Sequence, residues 1–123
     1  MFNVPPKIAN YLNRGYVVAA ELEATPPTRC FVRIRPVAKP GTRREEPHRF
    51  LNSPLDLFDY WEFSFRRMVL RGGWEADEWN YDRYLLEDEQ CHTTTEAEFH
   101  GAVQRWIPDT KLLRHSNESP CPE

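Results

Sequence analysis

YVVAAELEATPPTRCFVRIR, residues 16–35, alternates twice and breaks once. In its first half Tyr16, Val18, Ala20, Leu22 and Ala24 share one face, and Glu21 and Glu23 share the other. Thr25-Pro26-Pro27-Thr28 interrupts the pattern, and it then resumes. Cys30, Val32 and Ile34 point one way; Arg29, Phe31, Arg33 and Arg35 point the other. A period of two predicts strands over 16–24 and 29–35, paired antiparallel across the proline turn. That pairing sets a glutamate stripe beside an arginine stripe, where each opposite-charge pair contributes roughly 0.2–1 kcal/mol.

Outward from this hairpin the period changes. Residues 6–13 predict a short helix, with Pro6 at its first turn, Ile8, Tyr11 and Leu12 on one face, and Gly15 as its stop. Residues 53–71 read as the main helix. Ser53 is placed as N-cap, Pro54 at the first position and Asp56 in the first turn. Leu57, Phe58, Trp61, Phe65, Met68 and Val69 make its apolar stripe, and Gly72-Gly73 ends it. Tyr60, Phe63 and Leu70 fall outside that stripe, which predicts either a cover from another element or exposure to a partner. Residues 81–87 predict a third strand, with a helix over 75–86 as the alternative. Thr95-Glu96-Ala97-Glu98 is a capping box opening a helix to about Ile107, before Pro108.

Helices and strands without a βαβ rhythm predict an α+β fold. It is a small antiparallel sheet of hairpin 16–24/29–35 plus the strand near 81–87, packed against helices 53–71 and 95–107. One domain over residues 1–113 is expected, since a domain commonly runs to ~100–150 residues. Residues 36–49 read as a long loop, and 114–123 as a disordered tail.

Charge is segregated along the chain. Residues 1–72 hold 12 Lys/Arg against 7 Asp/Glu, whereas residues 73–98 hold 9 Asp/Glu against Arg83 alone. The net charge of −3 conceals this. Such asymmetry predicts partners more than chemistry. The acidic segment interleaves Glu75, Asp77, Glu78 and Asp82 with Trp74, Trp79, Tyr81 and Tyr84. Carboxylates there can stand where phosphates would, and the rings can anchor an interface. Glu75, Asp77, Glu78, Trp79 and Asp82, with Tyr60, Phe63 and Leu70, are therefore the candidate partner-binding residues. The partner expected is a protein with a basic, nucleic-acid-binding type of surface, and the chain would act as an inhibitor or accessory factor. Small anti-CRISPR-type inhibitors are similar in size and charge, an analogy that carries no residues over.

The alternative is a single-stranded nucleic-acid-binding module using Phe31, Arg33, Arg35, Arg43, Arg44 and Arg49, by phosphate contacts and base stacking. Glu45 and Glu46 dilute that patch, and the chain as a whole is acidic where such domains are usually basic. Catalysis has no signature: G-x-S-x-G, H-E-x-x-H, a phosphate-binding P-loop and a dinucleotide fingerprint are all missing. Cys30, Cys91 and Cys121 form no C-x-x-C pair, and the histidines lack zinc spacing. No enzyme activity, cofactor or metal is expected, nor a membrane span. A reduced, cytoplasmic setting fits the odd cysteine count and the absence of a leader pattern. The oligomeric state is left open.

Overall fold

The computed structural model describes residues 4–40 and 57–122. The elements run α1 (Pro6–Asn13), β1 (Val18–Leu22), β2 (Arg29–Ala38), α2 (Leu57–Tyr60), β3 (Trp61–Leu70), β4 (Leu85–Thr93), α3 (Glu96–Trp106) and β5 (Arg114–His115). A 3-10 segment, Trp74–Tyr84, links β3 to β4. The strands form one antiparallel sheet in the order β4-β3-β2-β1-β5. The fold is α+β.

The hairpin forms in the register its alternation requires, with Val18 opposite Ile34, Ala20 opposite Val32 and Leu22 opposite Cys30. One Glu/Arg pair of the expected stripe is present: Arg29 Nε and Nη2 donate to the two oxygens of Glu21 at 2.7 and 2.8 Å. Helix α1 occupies its expected span and stops at Gly15, whose φ of +83° favours glycine. A Cβ on Gly15 would also sit 3.2 Å from the Trp61 ring. The capping box at α3 is realised with its return arm shifted by one residue. Thr95 Oγ1 accepts from the Glu98 amide at 3.2 Å, while Glu98 accepts from the amide of Thr94 at 3.0 Å.

The helix read over 53–71 is not there. Residues 57–60 make one helical turn, and 61–70 are the interior strand β3, paired with β2 on one side and β4 on the other. Both faces of this strand are covered. Trp61, Phe63 and Phe65 enter the core under the helices, and Met68 and Leu70 enter a second core on the opposite face. A strand buried on both sides loses its polar alternation, and its apolar residues then also satisfy a helical stripe. Phe63 and Leu70, which the stripe left out, are what a period of two accounts for. The Ser53-Pro54 cap lies outside the described residues.

The third strand runs over 85–93, later than the 81–87 read from sequence. The helical alternative for 75–86 corresponds to the 3-10 segment, which is broken by non-helical backbone at Asp77 and Asn80. Gly72 and Gly73 serve as the exit from β3. Gly73 takes a φ of +99°, and a Cβ on Gly72 would come 2.7 Å from the Cβ of Pro27 in the β1–β2 turn. Residues 114–122, read as a tail, carry β5 along the edge of β1, and Cys121 beyond it is buried.

Helices cover one face of the sheet. Ile8, Leu12, Leu57, Phe99, Val103 and Trp106 meet Val18, Val32, Ile34, Phe63 and Phe65 there. Phe99 is central, with ring centres 4.8 Å from Phe63, 5.3 Å from Phe58 and 5.6 Å from Phe65. No helix among the described residues is long and apolar enough to cross a membrane.

Candidate interaction surface

Arg29, Arg33 and Arg35 of β2 and Arg66 of β3 project from the other face. Two cross-strand rows define it: Ala19–Arg33–Arg66–Gln90 and Glu21–Phe31–Met68–Asp88. The 3-10 segment and the C-terminal residues lie over these rows. Trp74 meets Phe31 edge-on, with centroids 5.9 Å apart and planes at 83°. Cys121 joins Ala19, Phe31, Met68, Leu70 and Trp74 in the second core.

Most of the arginines here are matched within the chain. Arg29 holds Glu21 in a bidentate pair and reaches Glu75 at 3.3 Å, with its guanidinium 5.3 Å from the Phe31 ring centre. Its hydrogen bond to Glu21, joined by Glu75, raises its pKa further above the ordinary arginine value. Arg66 grips both oxygens of Asp88 at 2.8 and 2.9 Å and donates to the Tyr81 hydroxyl at 3.2 Å. That grip raises the Arg66 pKa and holds the Asp88 carboxyl below its usual range. On the helix-covered face, in the row of Ala20 and Val32, Arg67 reaches Glu87 and Glu89 at 3.7 and 3.9 Å. Arg71 stacks on Tyr84, 4.2 Å from the ring centre.

Arg33 differs. It is 9% exposed and sits opposite Arg66, and among the described residues its hydrogen bond goes to the Pro122 carbonyl at 3.3 Å. Burial, then neighbouring Arg35, lowers its pKa. A guanidinium nevertheless keeps its proton. The carbonyl of Pro122 therefore fastens the C-terminal residues to a desolvated cation.

The candidate residues divide accordingly. Of the partner-binding set, Phe63 and Leu70 are core residues, corrected from their expected place off the buried face. Tyr60 is half-buried and packs against the helix-side core. Glu75 is turned to Arg29, and Asp77 accepts from Asn80 at 2.9 Å and from Tyr84 at 3.4 Å. Glu78, Trp79 and Asp82 remain outward. Trp79 is 98% exposed, and among the described residues neither Glu78 nor Asp82 has an ion pair. Of the nucleic-acid set, Phe31 and Arg33 are buried, Arg35 is exposed, and Arg43, Arg44 and Arg49 lie outside the described residues. A base cannot stack on a ring that Trp74 already covers.

Trp79 stands at a cleft of about 450 Å3. Glu78, Trp79 and Tyr81 line it from the 3-10 segment, and Ser119, Pro120 and Pro122 from the C-terminal residues. Sequence reasoning missed this second wall because the stretch is polar and lacks periodicity. The signal present was Pro120-Cys121-Pro122, a stiff apolar triplet inside a polar run. Edge strand β4 is also acidic, with Leu86, Glu87, Asp88 and Glu89 exposed; Glu87 and Glu89 share the helix-side face with Cys91. Acidic side chains on an open edge also deter pairing with a second copy of the same strand.

Chemistry of other kinds has little to build on among the described residues. No three His, Cys, Asp or Glu side chains gather at a metal-sized site there. Cys91 and His92, adjacent on β4, project to opposite faces; Cys91 packs against the helix-side core while His92 Nε2 meets Glu62 at 2.7 Å. Burial pushes the Cys30 and Cys91 thiols up, away from the nucleophilic thiolate. Compared with family models, curated proteins and solved structures, the chain matches none, so the reading of this surface rests on its own residues.

Proposed function

We propose that this chain is a non-catalytic interaction protein that presents Glu78, Trp79 and Asp82 to a basic surface of a protein partner. The observation that supports it is the exposure of Trp79 between two carboxylates without an ion pair among the described residues, beside arginines already held by Glu21, Glu75 and Asp88. An indole free of contacts offers a large amphipathic area at low entropic cost, the profile of an interface anchor. Flanking carboxylates raise the encounter rate with a cationic partner and disfavour an anionic one. As an inhibitor or accessory factor the protein would occupy a surface otherwise used for phosphates.

The test titrates labelled oligo-arginine peptide and labelled single-stranded DNA separately, at several salt concentrations. The proposal expects the peptide to bind, with loss on Glu78→Lys/Asp82→Lys, and the DNA to bind weakly. Tight DNA binding that falls steeply with salt, with no peptide binding, would overturn it in favour of the nucleic-acid module.

A further inference from the structure

The cleft beside Trp79 makes chemical demands on whatever fills it. Trp79 offers a bare aromatic face, with half-buried Tyr81 beside it. Trp74, 2% exposed, also lines the cleft, and among the described residues its indole Nε1 has no hydrogen-bond acceptor. A buried donor left unmet is a standing cost that a suitable acceptor removes. Glu78 adds a carboxylate without a cation. The fitting occupant is therefore flat and apolar on one side, rich in acceptors, poor in donors, and cationic at one point.

A phosphate or acidic ligand would meet Glu78 with like charge. A helix commits its carbonyls to itself along its length and frees them for an indole only in its last turn. A proline-rich segment meets every demand. Its rings lie flat on aromatics, its prolines bring no amide N–H, and its carbonyls face outward in a preformed polyproline II helix. We propose that this cleft binds an extended proline-rich peptide bearing an arginine or lysine. A prolyl ring covers Trp79, a backbone carbonyl accepts from Trp74 Nε1, and the cation pairs with Glu78. The inference rests on the basic-partner reading and narrows it to one peptide class. Trp74 Nε1 is buried, so the proposal requires the Ser119–Pro122 wall to shift to admit the carbonyl. Polar ties of that wall include the 3.3 Å bond from Arg33 to the Pro122 carbonyl and the 3.2 Å bond from the Ser119 amide to the Ser116 carbonyl.

Two peptides of equal length and charge test this by calorimetry on the full chain. One carries prolines around its arginines; the other has alanine at each proline. The proline peptide should bind at least tenfold tighter. Trp79→Ala, at a site with no packing to lose, should remove most of that advantage, and Trp74→Phe, which keeps a ring but no donor, should weaken binding several-fold. Equal affinity for the two peptides, each still weakened by Glu78→Gln, overturns the proline inference and leaves the basic-partner reading standing. Failure of both peptides to bind overturns both.

Discussion

Phe63 decides between the two secondary structures that residues 61–70 can satisfy. On a helix it lies off the apolar stripe, and truncating it there changes stability by no more than about 0.5 kcal/mol. On strand β3 it is 1% exposed and in ring contact with Phe58 at 5.8 Å and Phe99 at 4.8 Å. Phe63→Ala then removes a fully buried ring between two others and leaves a cavity, a loss of about 3–5 kcal/mol. That is a large share of the ~5–15 kcal/mol that stabilises a domain of this kind. Phe63→Leu retains most of the volume and should recover more than half of the loss. Urea unfolding followed by far-UV circular dichroism gives both values, with Glu62→Ala as the partly exposed neighbour that should cost under about 1 kcal/mol. A Phe63→Ala loss below about 1 kcal/mol at unchanged m-value would refute the strand and the packing drawn around it.

Other outcomes follow from the same contacts. Asp88 is held below the usual carboxylate range by Arg66, so its contribution is present above the unfolded carboxyl pKa and disappears as pH falls through the folded one. Asp88→Asn should thus be less stable than wild type near neutrality by about 1 kcal/mol, with the gap closing below about pH 4 in thermal melts. Thr95→Ala removes the acceptor for the Glu98 amide and should cost about 1 kcal/mol, measured by urea midpoint. Trp79→Ala should leave stability within about 0.5 kcal/mol of wild type, since the ring touches solvent almost everywhere.

How far the sequence carried depended on how many faces each element buries. Helix 96–106 shows one apolar and one polar side, and hairpin 18–22/29–38, although Ala19 and Phe31 enter the second core, keeps charged residues at Glu21, Arg29, Arg33 and Arg35 on one face, so period and caps identify them. Strand β3 is wedged between two cores, and its burial on both sides mimics a helical stripe; Phe63 and Leu70, which that stripe excludes and leaves open to a cover or a partner, are core residues. The C-terminal residues gave no periodicity because what fixes them is tertiary: Cys121 in an apolar pocket and a carbonyl on Arg33. The charge blocks were plain in the sequence, but their pairing was not. Arg29 meets Glu75 across 46 positions, a match that only the turn at Gly72-Gly73 makes possible.

Trp74 and Tyr81 close over the arginine face and leave Trp79 outward. Of the four tryptophans, Trp61, Trp74 and Trp106 are 8%, 2% and 7% exposed, against 98% for Trp79. Acrylamide quenching of wild type and Trp79→Phe measures this directly. Wild type should show a red-shifted, readily quenched component that Trp79→Phe abolishes, leaving blue-shifted, protected emission. A readily quenched component that persists in Trp79→Phe would contradict the closed face and the surface proposed from it.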